Sequence, residues 1–286
     1  MHVTTPDSQT DIPMLRTVLP LLRCPYCDGG PIAVSSVGSA DRRLDDRLDE
    51  ATLICQACDR TTEVSDRIWH AMGDRTWSKT PAQISNVLPP TPQLYERLWR
   101  IRSLSLLSGR AFPVAEELAE LRAALRPMAG RVFADVACSE GLYARTLAAD
   151  GATVFAVDHS RPFLRRTVAH AASLPVVAVR AMAQHLPFVS GSLDGSAMGG
   201  SLNEIGDQGD AVSELARIVR PHGPMFSMSL STATTTAGRL LQRLLGPLGI
   251  SMASAPATLA LFTDTGAEIV DEKLDRIVLR VTAHAR

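Results

Sequence analysis

Charge of one sign, lysine and a long unbroken apolar run are what this 286-residue chain has least of, and each shortage removes a class of function. Its formal net charge is −1 at pH 7, from 29 Lys and Arg against 30 Asp and Glu. That balance argues against a large basic stripe, the usual electrostatic footprint of nucleic-acid binding. Lysine occurs only at Lys79 and Lys273, and the arginine bias carries no functional message of its own. The most apolar early stretch, PMLRTVLPLLRCP, is broken by Arg16, Pro20 and Arg23. It reads as neither a signal-peptide core nor a membrane span, so a cytoplasmic protein with no membrane partner is expected. What remains is 45% hydrophobic and 21% charged, enough for one sizeable core plus a small module.

Cysteine is scarce but ordered. Four of the five form two CxxC pairs, CPYC at Cys24 and Cys27 and CQAC at Cys55 and Cys58. Each pair makes a turn that aims two sulfurs at one cation, and two turns supply the four thiolates of a closed tetrahedral zinc site. Such a site has no open position for substrate, so a structural role is expected of it. The fifth, Cys138, is flanked by small residues and reads as a space-filler.

Organisation follows three parts: a zinc ribbon over 1–72, a linker and helical lid over 73–128, and an α/β domain over 129–286. In the linker, Thr91 is placed to cap a helix that would carry Tyr95 and Trp99, with Arg100 and Arg102, as lid or as packing. The last part alternates strands (RVFADVA, ATVFAVD, PVVAVRA, DGSAMGG, PMFSMSL) with helical patterns and ends in two strands within EIVDEKLDRIVLRVTAHA. This alternation predicts a parallel sheet covered on both faces. After PMFSMSL, the segment STATTTAGRLLQRLLGPLGISMA contains a helix whose Leu240, Leu241, Leu244 and Leu245 share one apolar face. It is expected to cap a pocket or to meet a partner subunit in a homodimer.

Glycine is missing where a nucleotide-binding turn most often uses it. In DVACSEG the three alternating positions are Ala137, Ser139 and Gly141, between Asp135 and a following helix. If positions 137 and 139 need φ > 0, each Cβ costs roughly 1 kcal/mol or more. Further on, VFAVDHS ends a second strand at Asp158, where a carboxylate can accept two ribose hydroxyls.

These motifs, with HLPFVSGSLDGSAMGGSLNEI and ELARIVRPHGPMF, resemble in order the class I S-adenosylmethionine-dependent methyltransferases, particularly the type 11 group, over about 130–286. The resemblance implies a Rossmann-like α/β fold with a seven-stranded sheet, parallel except for an antiparallel C-terminal strand, beside the ribbon. It implies a cofactor site of Asp135, Ala137, Ser139, Gly141, Asp158, His159, Met182, Ala183 and Gly200. Met182 stands where relatives often have an acid; it would pack on adenine while the Ala183 amide meets its edge. His159 would pack over adenine or face solvent, and His185 and His222 read as surface turn residues.

The chain is also similar to bacterial 23S ribosomal RNA guanine methyltransferases, which place a zinc ribbon before this fold. A further likeness, through YERLWR and LPFVSGSLD, is to methyltransferase-like proteins of plant plastids and bacteria. Asn203 and Glu204, beyond the fourth strand, are the candidate catalytic pair, with a helix cap and solvated acid as the alternative. Neutral charge and the apolar helix favour methyl transfer to a small or medium organic molecule, apolar in part, possible in specialised metabolism. An RNA base methyltransferase that uses the ribbon for recognition, and a scaffold on a degenerate site, stay open beside it.

Overall fold

A computed structural model describes residues 18–37, 50–77, 79–88, 114–171 and 173–286. Thr91, Tyr95, Trp99, Arg100 and Arg102 therefore lie outside the described residues, as does the side chain of Leu241.

Five strands of the C-terminal part are parallel: β5 (Val132–Val136), β6 (Thr153–Asp158), β7 (Val176–Arg180), β8 (Gly195–Gly199) and β9 (Pro224–Leu230). A closing hairpin, β10 (Glu268–Asp275) and β11 (Val278–His284), folds back so that β11 pairs antiparallel with β9. Their order, β7-β6-β5-β8-β9-β11-β10, is the expected seven-stranded sheet.

Alternation along each strand assigns neighbouring side chains to opposite faces. Phe133 and Val154 join one core with Leu121 of helix α2 (Val114–Ala124), Tyr143 and Leu147 of α3 (Leu142–Ala149) and Leu164 of α4 (Arg161–Ala171). On the other face, Ala134, Phe155 and Val179 meet Val212 and Leu215 of α5 (Gln208–Ile218). With both faces covered, the inner strands are buried throughout, which is why their sequence reads as apolar runs.

The ribbon is not set apart from this sheet. Strands β1 (Ile32–Val37), β2 (Glu50–Cys55), β3 (Thr61–Ser65) and β4 (Ile68–His70) form an antiparallel meander. Its last strand pairs in parallel with β7, Ile68 opposite Ala178 and His70 opposite Arg180. Among the described residues the result is one eleven-stranded sheet. An edge at β7 would offer unpaired backbone groups to other chains, and β4 satisfies them.

Two short elements sit near the carboxyl ends of the parallel strands. Helix α1 (Pro81–Ser85) starts with a capping box between Thr80 and Gln83, a reciprocal pair that lets so short a helix hold its shape. The segment after β9 contains α6 (Thr236–Leu245), a turn at Gly246–Leu248, and then α7 (Ala255–Thr263).

Candidate cofactor site and metal centre

The turn after β5 keeps its backbone shape without its glycines. Ala137, Ser139 and Gly141 have φ of 55°, 50° and 73°, three left-handed residues in alternation. A Cβ in that region costs about 1–2 kcal/mol, so two side-chain-bearing residues hold this conformation against strain. The surroundings enforce it. The amide of Cys138 donates to Val157 O at 3.0 Å, Ser201 Oγ to Ala137 O at 3.0 Å, and Thr167 Oγ1 to Ser139 O at 2.9 Å. At the third position glycine is obligatory, because a Cβ would meet Thr167 Cγ2 at 2.6 Å. The carboxylate of Asp135 accepts the Ala144 amide at 2.9 Å and so caps the first turn of α3. Cys138 is buried, and burial pushes its thiol well above the ordinary range, in keeping with a space-filler.

Asp158, buried at the end of β6, closes the other side of the turn. Its Oδ2 accepts the Ser139 amide at 3.0 Å and its Oδ1 the Ser160 amide at 2.8 Å. Of the two alternatives for the neighbouring His159, the solvent-facing one does not hold: Nδ1 is 3.4 Å from Asp158 Oδ1 and Nε2 is 3.0 Å from Gln83 O. Burial opposes its charge, but the hydrogen bond to Asp158 and that carboxylate's field outweigh burial, so its pKa is raised.

Residues 79–88 thus form a strap across the ends of β6 and β8. Besides His159, it takes Ser160 Oγ on Asn86 O at 2.5 Å. Towards β8, Thr80 Oγ1 donates to Glu204 O at 2.8 Å and Asn86 Nδ2 to Glu204 Oε2 at 2.9 Å. Glu204 is therefore not a solvated acid. Burial, reinforced by the charge of Asp158, raises its pKa against the opposing Asn86 hydrogen bond.

Asn203 has a different environment. Its Nδ2 donates to Leu230 O and Ser251 O at 2.7 and 2.8 Å, and its Oδ1 accepts the Leu230 amide at 2.7 Å. Every hydrogen-bonding position of the amide group that these bonds use ties β8 to β9 and to the segment after α6. Gly200, at φ 81°, donates its amide to Met228 O at 2.8 Å.

Beyond β7 the chain turns through Met182, Ala183 and Gln184, all buried. Gln184 is 4% exposed, and neither its Nε2 nor its Oε1 has a hydrogen-bond partner among the described residues. A buried carboxamide with both ends unsatisfied costs free energy unless something binds it. Sequence reading passed over this residue; the only signal was its place between Ala183 and the LPF motif. His185 is also not the surface residue expected: it is buried, with Nε2 2.6 Å from Asp28 Oδ1. His222 is exposed, as read.

The four ribbon cysteines converge, their sulfurs all within 4.8 Å of one another. Cys24 to Cys58 and Cys27 to Cys55 are each 3.7 Å apart. A tetrahedral ion with metal–sulfur bonds of about 2.3 Å needs sulfurs about 3.8 Å apart. The amides of Tyr26 and Ala57 point at Cys24 and Cys55 Sγ, each at 3.4 Å, which stabilises thiolate character in both knuckles. The donor set and spacing suit a zinc ion.

Residues 134–227 match a family model described as a methyltransferase domain. That span begins in β5, contains the strained turn and Asp158, and ends in β9. That span is similar to a methyltransferase domain. Over 219 residues the chain is 28% identical to an uncharacterized chloroplastic methyltransferase of Arabidopsis thaliana, covering 71% of this chain and 59% of that protein. Over 158 residues it is 30% identical to a demethylmenaquinone methyltransferase of Clavibacter sepedonicus, covering 54% of this chain and 61% of the relative. Thus the chain spans about three-fifths of the length of each. Among solved structures, geranyl diphosphate C-methyltransferase of Streptomyces coelicolor superposes with a TM-score of 0.54 at 13% identity, covering 60% of this chain and 76% of that one. At that identity the likeness concerns the fold of the methyltransferase domain. No helix among the described residues is long and apolar enough to cross a membrane.

Proposed function

We propose that the protein is an S-adenosylmethionine-dependent methyltransferase acting on a small or medium organic molecule that is apolar in part. One observation carries this reading: the turn at 137–141 keeps three alternating left-handed residues although two of them carry a Cβ. A site kept only for structural support has no reason to keep two such strained residues, whereas backbone that must approach a ligand closely does.

In this reading Asp158 accepts the ribose hydroxyls, and the backbone of 137–141, with Gly200, follows the ribose and methionine portions. Met182, Ala183 and Gln184 form the adenine side, where the unsatisfied carboxamide of Gln184 matches the donor and acceptor edge of an aminopurine. When bound, the cofactor supplies a methyl group already activated on a sulfonium, open to in-line displacement. The protein's own contribution is alignment and exclusion of water. The strap over Asp158, His159 and Glu204 excludes water. Glu204, with its pKa raised by burial, can hold a proton at its carboxyl if the acceptor must lose one. Asn203 acts as a strut that fixes Glu204 at the end of β8. Zinc in the four-cysteine cluster serves as a structural ion.

Paired charges favour a small molecule over RNA. Around the ribbon, Arg60 is paired with Asp74, Arg75 with Asp28, and Arg161 and Arg165 with Asp66. Among the described residues of the ribbon and its neighbours, these pairs leave little free positive charge for a phosphate backbone. Relatives named for demethylmenaquinone and geranyl diphosphate lend support to small organic acceptors.

Calorimetric titration of the zinc-loaded protein with S-adenosylmethionine and S-adenosylhomocysteine tests the reading. Micromolar binding that Asp158→Asn removes is the expected result. Binding of neither ligand would leave the scaffold reading in its place.

A further inference from the structure

Helix α6 exposes part of its apolar face. Its polar Gln242 faces the body of the protein, where Oε1 accepts the Ala233 amide at 2.7 Å and Nε2 donates to Ser231 O at 3.0 Å. Leu240 and Leu244 face away, 61% and 66% exposed, as does Leu248, in the turn that follows, at 55%, while Leu245 is half-buried. A helix packed on a core does the reverse. Its start is well built, with Thr235 Oγ1 accepting the Gly238 amide at 3.1 Å, so the helix is stable without burying that face.

At helical spacing, Arg239 and Arg243 form a row beside that of Leu240 and Leu244. Both arginines are exposed. Arg239 donates to Thr234 O at 2.7 Å, and Arg243 has no acidic partner among the described residues. From Leu215 to Thr263 the sequence contains no Asp or Glu at all, in a chain that is otherwise nearly neutral. The exposed apolar surface continues towards the strap, where Ile84 and Leu88 are also exposed. The strap packs against the turn after α6, as Gly249 shows: a Cβ there would sit 2.7 Å from Thr80 Cβ.

We propose that α6 docks the protein in the plane of an anionic lipid bilayer, with Leu240, Leu244 and Leu248 in the acyl boundary and Arg239 and Arg243 among the headgroups. A leucine row flanked by arginines is the pattern of an interfacial helix, which lies on a membrane without crossing it. The absence of a spanning segment, on which the expectation of no membrane contact rested, does not bear on this mode. Charge decides between a bilayer and a second copy of the chain. A symmetric pair would bring four arginines together with no acid from 215–263 to meet them, whereas anionic headgroups complement them. The inference does not depend on the reaction proposed above.

Co-sedimentation of the full-length protein with phosphatidylcholine vesicles, with and without phosphatidylglycerol, is the test. Binding to the anionic vesicles, weakened by high salt and absent from the neutral ones, is expected. Leu240→Gln with Leu244→Gln alters only exposed side chains, so the fold should persist by circular dichroism, and vesicle affinity should fall at least about tenfold. Arg243→Glu should reduce it severalfold. No binding to anionic vesicles would overturn the proposal. So would sedimentation velocity showing a dimer that the double leucine variant dissociates, since the face would then be an interface between copies.

Discussion

His185 Nε2 lies 2.6 Å from Asp28 Oδ1 and so joins the first cysteine knuckle to the loop after β7. Asp28 directly follows Cys27, and His185 is in the same turn as Met182, Ala183 and Gln184. Arg23 reinforces the junction, its Nε donating to Leu186 O at 3.1 Å and its backbone amide to Pro187 O at 3.0 Å. The ribbon therefore buttresses the loop of Met182, Ala183 and Gln184, the proposed adenine side of the site. Removing the metal should loosen that loop as well as the ribbon. Chelator-treated protein is expected to show a lower Tm and severalfold weaker S-adenosylhomocysteine binding by calorimetry. Asp28→Asn should weaken binding while metal analysis still finds one ion per chain. Unchanged affinity after complete metal removal would show the two regions to be uncoupled.

The strained turn makes a prediction of opposite sign from most substitutions. Restoring glycine at position 137 or 139 relieves about 1–2 kcal/mol of left-handed strain and costs about 0.5–1 kcal/mol in chain entropy. Ala137→Gly and Ser139→Gly should each raise stability by up to about 1 kcal/mol in urea unfolding and leave cofactor affinity equal or better. Gly141→Ala, which meets Thr167, should be destabilising by more than about 2 kcal/mol. A loss of stability in both glycine variants would mean that the left-handed backbone is not the conformation in solution.

Gln184 separates stability from binding. Because its carboxamide is buried without a partner, Gln184→Leu removes a desolvation cost of about 1–3 kcal/mol without breaking a hydrogen bond. The free protein should become more stable in thermal unfolding, while S-adenosylhomocysteine binds at least about tenfold more weakly. Loss of stability with unchanged affinity would make Gln184 an ordinary core residue.

His159 has a pH signature. Its pKa in the folded protein is raised above the ordinary value of 6.5: burial opposes the charge, but the adjacent Asp158 carboxylate and the Gln83 carbonyl together outweigh it. A histidine so shifted binds its proton more tightly in the folded chain. Its stabilising contribution is full below the unfolded pKa and is lost as pH rises through the folded one. The stability difference between the parent and His159→Gln should therefore be largest at acid pH and shrink above neutrality. A flat difference in urea unfolding across that range would show that the imidazole is not charged beside Asp158.

Local pattern was enough for much of this protein. The apolar runs and helical repeats marked all seven strands of the C-terminal part and the helices between them, because fully buried elements must be apolar on every inward face. The CxxC spacing marked the ribbon, since two sulfurs on one turn already define half a tetrahedron. Nothing local distinguished a left-handed Ala137 from an extended one; that depended on bonds from Ser201 and Thr167, residues far along the chain. Nor could the sequence show that β4 would pair with β7, that His185 would be buried against Asp28, or that Gln184 would be buried without a partner. The leucine row of α6 was legible as an apolar face, but whether it points inward or outward was decided by what Gln242 could reach. Periodicity reports which residues share a face, and only the packed chain determines what that face meets.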